Sequence, residues 1–190
     1  MATLQDIRAK ALTQPRPADW YRRQITSLSN QFDTPGSIMR SGLGRMVGRP
    51  EIGSMYLYLY DPKTKDRLPY YDKFPLVLPY DTAPGGFRGL NLHYLPYGLR
   101  FQLLEALMKT KTTTTIDSDT ELSLSWNILQ SASRFPGVKP TVKRYLFSHI
   151  KSRVLKINPE DWNIAAMLPV EQFEGLTKQR VFNKSKASLQ

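Results

Sequence analysis

Apolar residues cluster most densely in residues 53–96, where GSMYLYLYDPKTKDRLPYYDKFPLVLPYDTAPGGFRGLNLHYLP sets three short apolar runs between turn signals. In the first run, residues 55–60, Met55, Leu57 and Leu59 alternate with Tyr56, Tyr58 and Tyr60. Side chains two apart share a strand face, so this strand is apolar on both faces and is expected to be buried on two sides. Asp61-Pro62 ends it, because proline cannot donate to a ladder and favours a turn. The second run, residues 74–80, is broken by Pro75 and Pro79, which confine it to a sheet edge or a bulged strand. The third, residues 87–94, follows Pro84-Gly85-Gly86, a sequence suited to a tight hairpin turn. Alternation there sets Leu92 and Tyr94 on one face, Asn91 and His93 on the other. These runs predict a small, strongly curved β unit, a barrel of the SH3-like kind with one or two further strands elsewhere.

Helical periodicity lies on either side of this unit. Leu99, Leu103, Ala106 and Leu107 recur at three-four spacing and predict a helix over residues 97–109, with Pro96 just outside its start. Ser118 and Glu121 form a capping box that opens a helix to about residue 134. Over residues 139–156, Val142, Leu146, Ile150 and Val154 step by four, which reads as a third helix with Arg144, Ser148, Lys151 and Ser152 on its other face. Lys143 falls near the apolar side of that helix and would have to snorkel. Asn158-Pro159 marks a turn or a fresh helix start, and the apolar run 164–168, closed by Pro169, a further strand or buried turn. Two short helices are expected over residues 4–12 and 19–28, the second capped by Asp19. Residues 29–50 are Gly-, Pro- and Ser-rich without periodicity. Gly42-Leu43-Gly44-Arg45-Met46-Val47-Gly48 fails as a phosphate loop, since no strand precedes it and no Gly-Lys-Ser/Thr follows.

The expected fold class is therefore α+β, an SH3-like β-barrel with packed C-terminal helices and an extended basic N-terminal arm. The expected division is a partly extended arm (1–50), an α+β domain (51–180; β unit 53–96, helices 97–156) and a flexible tail (181–190).

Charge adds the first functional constraint. Lys plus Arg number 27 against 16 Asp plus Glu, a net charge of +11. A surface of that sign attracts polyanions, nucleic acid first and anionic protein surfaces second. The first fifty residues carry 8 Lys/Arg against 3 Asp/Glu, and residues 139–156 carry 6 and no acid. With no cysteine, disulfides, thiolate zinc sites and cysteine nucleophiles are excluded, which fits a virion or the host cytoplasm. No apolar run reaches the length of a membrane span, and MATLQDIRAK lacks the apolar core of a signal peptide.

Candidate chemistry is sparse. His93 and His149 are the 2 histidines; a hydrogen-bonded structural role is expected for His93, with general-base action near Asp72 or Asp81 the alternative. No helical zinc motif occurs, and Asp61-Pro62-Lys63 resembles half a nuclease core only until its proline is counted. No catalytic residue, metal site or cofactor is assigned. The tyrosines are more informative, because rings beside cations can stack bases and hold phosphates. Candidate nucleic-acid contacts are Arg40, Arg45, Arg49, Lys63, Lys65, Tyr70, Tyr71, Lys73, Arg144 and Lys151.

Three stretches carry a family resemblance: DPKTKDRLPYYDKFPLVLPY, GFRGLNLHYLP and KRYLFSHIKSRVLKINPEDWNIAAMLPVEQFEG. Together they resemble a family of small virion and genome-handling proteins of tailed bacteriophages of the T-even and marine types, over residues 53–186. DNA end protectors are one such group. The resemblance implies binding without catalysis, with DNA ends, packaging or head completion as the setting and other virion proteins as further partners. A structural subunit of the tail, neck or baseplate is the alternative. The β unit also resembles, over about forty residues, the small barrels of toxin endoribonucleases, which keeps an RNA-cleaving reading open, though fold does not imply function.

Overall fold

The computed structural model describes residues 3–28, 32–109, 132 and 137–188. At its centre is a six-stranded antiparallel sheet. Its strands are β1 (Gly44–Val47), β2 (Tyr56–Leu57), β4 (Leu76–Ala83), β5 (Gly86–Asn91), β6 (Val142–Leu146) and β7 (Val154–Ile157), in the order β1-β7-β2-β4-β5-β6. A separate pair joins β3 (Tyr71–Asp72) to β8 (Phe173–Glu174). The class is α+β as expected, but the sheet does not close into a barrel. β1 and β6 remain its two edges.

The first apolar run is buried on both sides, as its alternation requires. Met55, Leu57 and Leu59 join the main core, whereas Tyr56, Tyr58 and Tyr60 join a second cluster with Val77, Phe87, Tyr145 and Val154. The second cluster shows how far the sheet bends. Tyr58, just past β2, and Tyr145 of β6 have ring centroids 5.8 Å apart. Three strand spacings lie between β2 and β6, about 14 Å in a flat sheet. The sheet therefore wraps its aromatic face around these rings. Pro79 does not force β4 to an edge; the register shifts between Pro79 and Asp81, so a bulge absorbs the missing donor inside a central strand. The β4–β5 turn forms at Pro84-Gly85, with Gly85 at φ +69°.

The helices cover the other face. They are α1 (Leu4–Thr13), α2 (Ala18–Thr26), α3 (Pro35–Met39), α4 (Tyr97–Lys109), α5 (Trp162–Met167) and α6 (Lys178–Ala187). Four sequence expectations are corrected here. First, the described residues of the N-terminal fifty, 3–28 and 32–50, are not an extended arm: Ile7, Tyr21, Ile25, Leu28, Phe32, Ile38 and Leu43 are core residues. α1 is tied to α5 by Arg8, whose Nε and Nη2 donate to the Asp161 carboxylate at 2.8 and 2.5 Å. Asp19 does not cap α2; Pro17 occupies that position without a side-chain bond.

Second, residues 139–156 form β6, a short 3₁₀ turn and β7 rather than a helix. Their apolar residues at 142, 146, 150 and 154 lie four apart, a spacing that also fits a period of two. Tyr145 falls outside the helical stripe, and in the strand its side chain is buried on the face opposite Val142 and Leu146. Third, residues 164–168 are mostly helix, and nearly every side chain of α5 is buried, so its uniformly apolar run carries no periodicity to read. Fourth, the expected tail is α6: the Thr177 side chain accepts from the Arg180 N–H, and Val181, Phe182 and Ser185 form its buried face. The helix expected from Ser118 to about residue 134 lies outside the described residues, Ala132 apart.

A buried cation locks α4 to its surroundings. Arg100 has no exposed surface. Its guanidinium donates to the carbonyls of Leu95 (2.7 Å), Ala166 (3.1 Å) and His93 (3.2 Å), and to Glu171 Oε1 (3.3 Å). Glu171 also accepts from the Tyr97 hydroxyl at 2.7 Å. Burial opposes ionisation of Glu171, but Arg100 above all, then His93 and Lys178, carry its pKa from 4.5 to about 2.

Two outcomes follow. Ile25, 2% exposed, is in the core rather than in a mobile arm, so Ile25→Ala should cost about 2–5 kcal/mol, read by denaturant unfolding; an arm residue would cost almost nothing. Because the folded pKa of Glu171 is depressed, its contribution is full above pH 4.5 and is lost as pH falls toward 2. Glu171→Gln should lower stability at neutral pH and flatten the acid limb of a stability–pH curve followed by circular dichroism.

Candidate nucleic-acid interface

The loop 61–70, β3 and the edge strand β6 enclose a cleft of about 700 Å³, lined by Lys63, Tyr70, Tyr71, Tyr94, Lys143 and Arg144 among others. It is built from the floor upward. Asp72, 3% exposed, sits on β3 and serves four donors. Its Oδ1 accepts the N–H groups of Phe74 and Gln172, each at 3.1 Å. Its Oδ2 accepts Asn91 Nδ2 at 3.2 Å and faces His93 Nδ1 at 2.7 Å. A carboxylate can only accept, so Nδ1 carries the proton in that contact. Asn91 Nδ2 also donates to the Tyr145 hydroxyl at 3.1 Å. One carboxylate thus joins β3, the chain entering β8, β5 and, through Asn91, β6.

Tyr94 forms the inner wall. Asn91 caps the 3₁₀ turn Leu92–Tyr94 by accepting the His93 N–H at 3.0 Å, so the third apolar run ends as a turn rather than continuing as strand to Tyr94. The turn is gripped from both sides: Arg100 holds the His93 and Leu95 carbonyls, and Ser185 Oγ of α6 donates to the Tyr94 carbonyl at 2.5 Å. Burial first, then the nearby charge of Asp72, pushes the Tyr94 hydroxyl far up, so it stays protonated.

A cation then flanks each side of a ring pair at the cleft. Lys143 Nζ lies 4.1 Å from the Tyr94 ring centroid, Tyr94 and Tyr70 are 5.9 Å apart, and Lys184 of α6 lies 5.1 Å from the Tyr70 ring. Lys143 pairs across the sheet with Gly89, so no side chain opposes it. It is half-buried, and desolvation pulls its ammonium down to about 8. The outer lip depends on Gly175, whose φ is +87° and whose added Cβ would meet the Pro69 carbonyl oxygen at 2.4 Å. Glycine there lets the turn after β8 pack against the backbone that presents Tyr70.

The structure brings together Lys63, Tyr70, Tyr71 and Arg144 of the sequence candidates. Lys65 is near them but pairs with Asp61 at 3.0 Å, and Lys73 pairs with Glu174. Arg144 Nη2 donates to the Pro84 carbonyl at 3.0 Å. Arg45 is on β1, the opposite edge of the sheet. Arg49 covers the Phe147 ring at 3.7 Å, Arg40 caps the C-terminus of α3, and Lys151 is exposed between β6 and β7; none of the four lines the cleft.

The sequence candidates did not include Tyr94, which lines the cleft, or Lys184, which lies against the Tyr70 ring beside it. Lys143 was noticed only as a cation near an apolar stripe, which was the usable signal. His93 has no exposed surface and sits against Asp72, which gives it the structural role expected. Asp61 and Asp81 are held by Lys65 and Arg88. Thus the carboxylates of the β unit do not converge, contrary to the arrangement a two-metal nuclease needs.

Comparison with known proteins adds one match. The family model of the phage T4 terminal DNA protecting protein matches residues 24–188, beginning well upstream of residue 53 and taking in α3 and β1. No curated protein matches the chain, and no solved structure does. With most of its length matched, including every lining residue of the cleft, the chain belongs to the phage T4 terminal DNA protecting protein family.

Proposed function

We propose that this protein binds the ends of a phage genome through the cleft between loop 61–70 and β6, and acts by covering them rather than by chemistry. The observation that carries the reading is the ring pair Tyr94 and Tyr70 flanked by Lys143 and Lys184, beside a cleft that Lys63 and Arg144 also line, in a chain of this family. Rings accept stacked bases with little regard to sequence, and the neighbouring ammonium and guanidinium groups take phosphates. Such recognition suits a protein that must accept whatever sequence lies at a terminus. A covered terminus is closed to exonucleases, and the natural setting is packaging or completion of the head, in the virion or the host cytoplasm. No described helix is long and apolar enough to cross a membrane.

The cleft alone cannot account for all of the +11 charge. Exposed Lys151, Arg45 and Arg40 lie outside it and would attract the duplex at longer range, with a strength that falls with salt. Cleft residues and outlying residues are therefore separable by experiment.

Binding to a short linear duplex by fluorescence anisotropy, at several salt concentrations, tests this. The double variant Lys63→Ala/Arg144→Ala should lose about tenfold or more in affinity, and its log K against log[salt] slope should become shallower by about 2, one unit per lost phosphate contact. Excess covalently closed circular DNA should compete poorly with linear DNA for the wild-type protein. Equal competition by the two forms would remove the end-binding reading.

A further inference from the structure

Lys143 is the one cleft cation whose setting goes beyond general attraction for DNA. It enters from an edge strand, faces a glycine across the sheet, and lies against the Tyr94 ring at 4.1 Å. No carboxylate pairs with it among the described residues. Asp72, the one carboxylate among the described residues lining the cleft, is already committed to Phe74, Gln172, Asn91 and His93. A half-buried ammonium with only a ring for company is poorly solvated, as its downward shift to about 8 also reflects. An anion placed beside it would supply what the fold withholds.

The size of the cleft decides which anion. About 700 Å³ is the scale of a small-molecule site, ~300–1,000 Å³, far too small for a duplex, whose internal phosphodiesters run past rather than into such a space. The end of a strand can enter. A terminal phosphomonoester also differs in charge, about −1.5 to −2 near neutral pH, where each internal phosphodiester carries −1. Lys143, Arg144 and Lys63 all border the cleft and offer the cations that such a group needs, while Tyr70 and Tyr71 stand at its side for the attached nucleoside.

We propose that Lys143, with Arg144 and Lys63, forms a subsite for the terminal phosphate of a DNA strand, so that the protein distinguishes a phosphorylated end from a hydroxyl end. The proposal rests on the end-binding reading above, and is tested apart from it. Three linear duplexes of one sequence, bearing a 5′-phosphate, a 3′-phosphate or hydroxyls at both termini, are compared by anisotropy with the full chain. One of the two phosphorylated forms should bind about tenfold more tightly than the hydroxyl form, the effect of one to two charge-assisted contacts, and which form does so names the strand end that enters.

Lys143→Met, close in length and fit for an apolar wall, should bring that ratio to about one; Lys143→Arg should keep most of it. Thermal melting checks that both variants fold. Equal affinity of all three duplexes for the wild-type protein would overturn the phosphate subsite while leaving end binding intact. A preference that survives in Lys143→Met would overturn the role of Lys143. Failure of linear DNA to outcompete closed circles would instead overturn the reading beneath it.

Discussion

The Asp72 carboxylate is the constraint on which the cleft depends. It is buried on a two-residue strand that could not hold itself in place, and its oxygens collect donors from its own turn, from the Asn91–His93 stretch and from Gln172. A buried carboxylate is costly unless its lone pairs are filled. Filling them joins the β3–β8 pair to β5 and, through Asn91, to Tyr145 of β6. With those walls fixed, Tyr94 and Tyr70 are set across from the edge strand that carries Lys143 and Arg144.

Around this centre the two cores do different jobs. The main core holds the helices and the inner face of the sheet, and α6 reaches across to fix Tyr94 through Ser185. The aromatic cluster on the other face bends the sheet so that β6 comes back toward β2. That curvature leaves β6 as an edge beside the 61–70 loop and opens the cleft between them. The barrel expected from the three short runs and their turns does not form: the sheet curves but stops before closing.

How much could be read from sequence follows from where local pattern and tertiary contact agree. The tyrosine run was legible because alternation over six residues has one physical meaning, a strand apolar on both faces. Lys63, Tyr70 and Tyr71 stand close together in the sequence of the β unit, whereas Arg144, expected on a separate basic helix, reaches the same cleft only through the fold. Residues 139–156 were misread because a four-residue apolar step satisfies both helix and strand; only Pro140, the aromatics and the β-branched residues break the tie. The N-terminal fifty residues were misread because their anchors, Ile7, Tyr21, Ile25 and Ile38, are spaced widely among polar residues, and burial of such isolated positions depends on a surface supplied by α4 and α5. The bonds of Asp72, Arg100 and Glu171 join residues far apart in the chain, so no local pattern could announce them. Tyr94 and Lys184, ninety residues apart, meet Tyr70 only in the fold.

The most direct measurement of the central claim is photo-crosslinking from the cleft. A photoreactive phenylalanine analogue in place of Tyr70, mixed with a linear duplex labelled at every position, should crosslink the terminal one or two nucleotides and little else, while the same probe in place of Arg45 should yield scattered, weaker adducts. Crosslinks from position 70 spread evenly along the duplex, or terminal adducts formed only from position 45, would contradict the account.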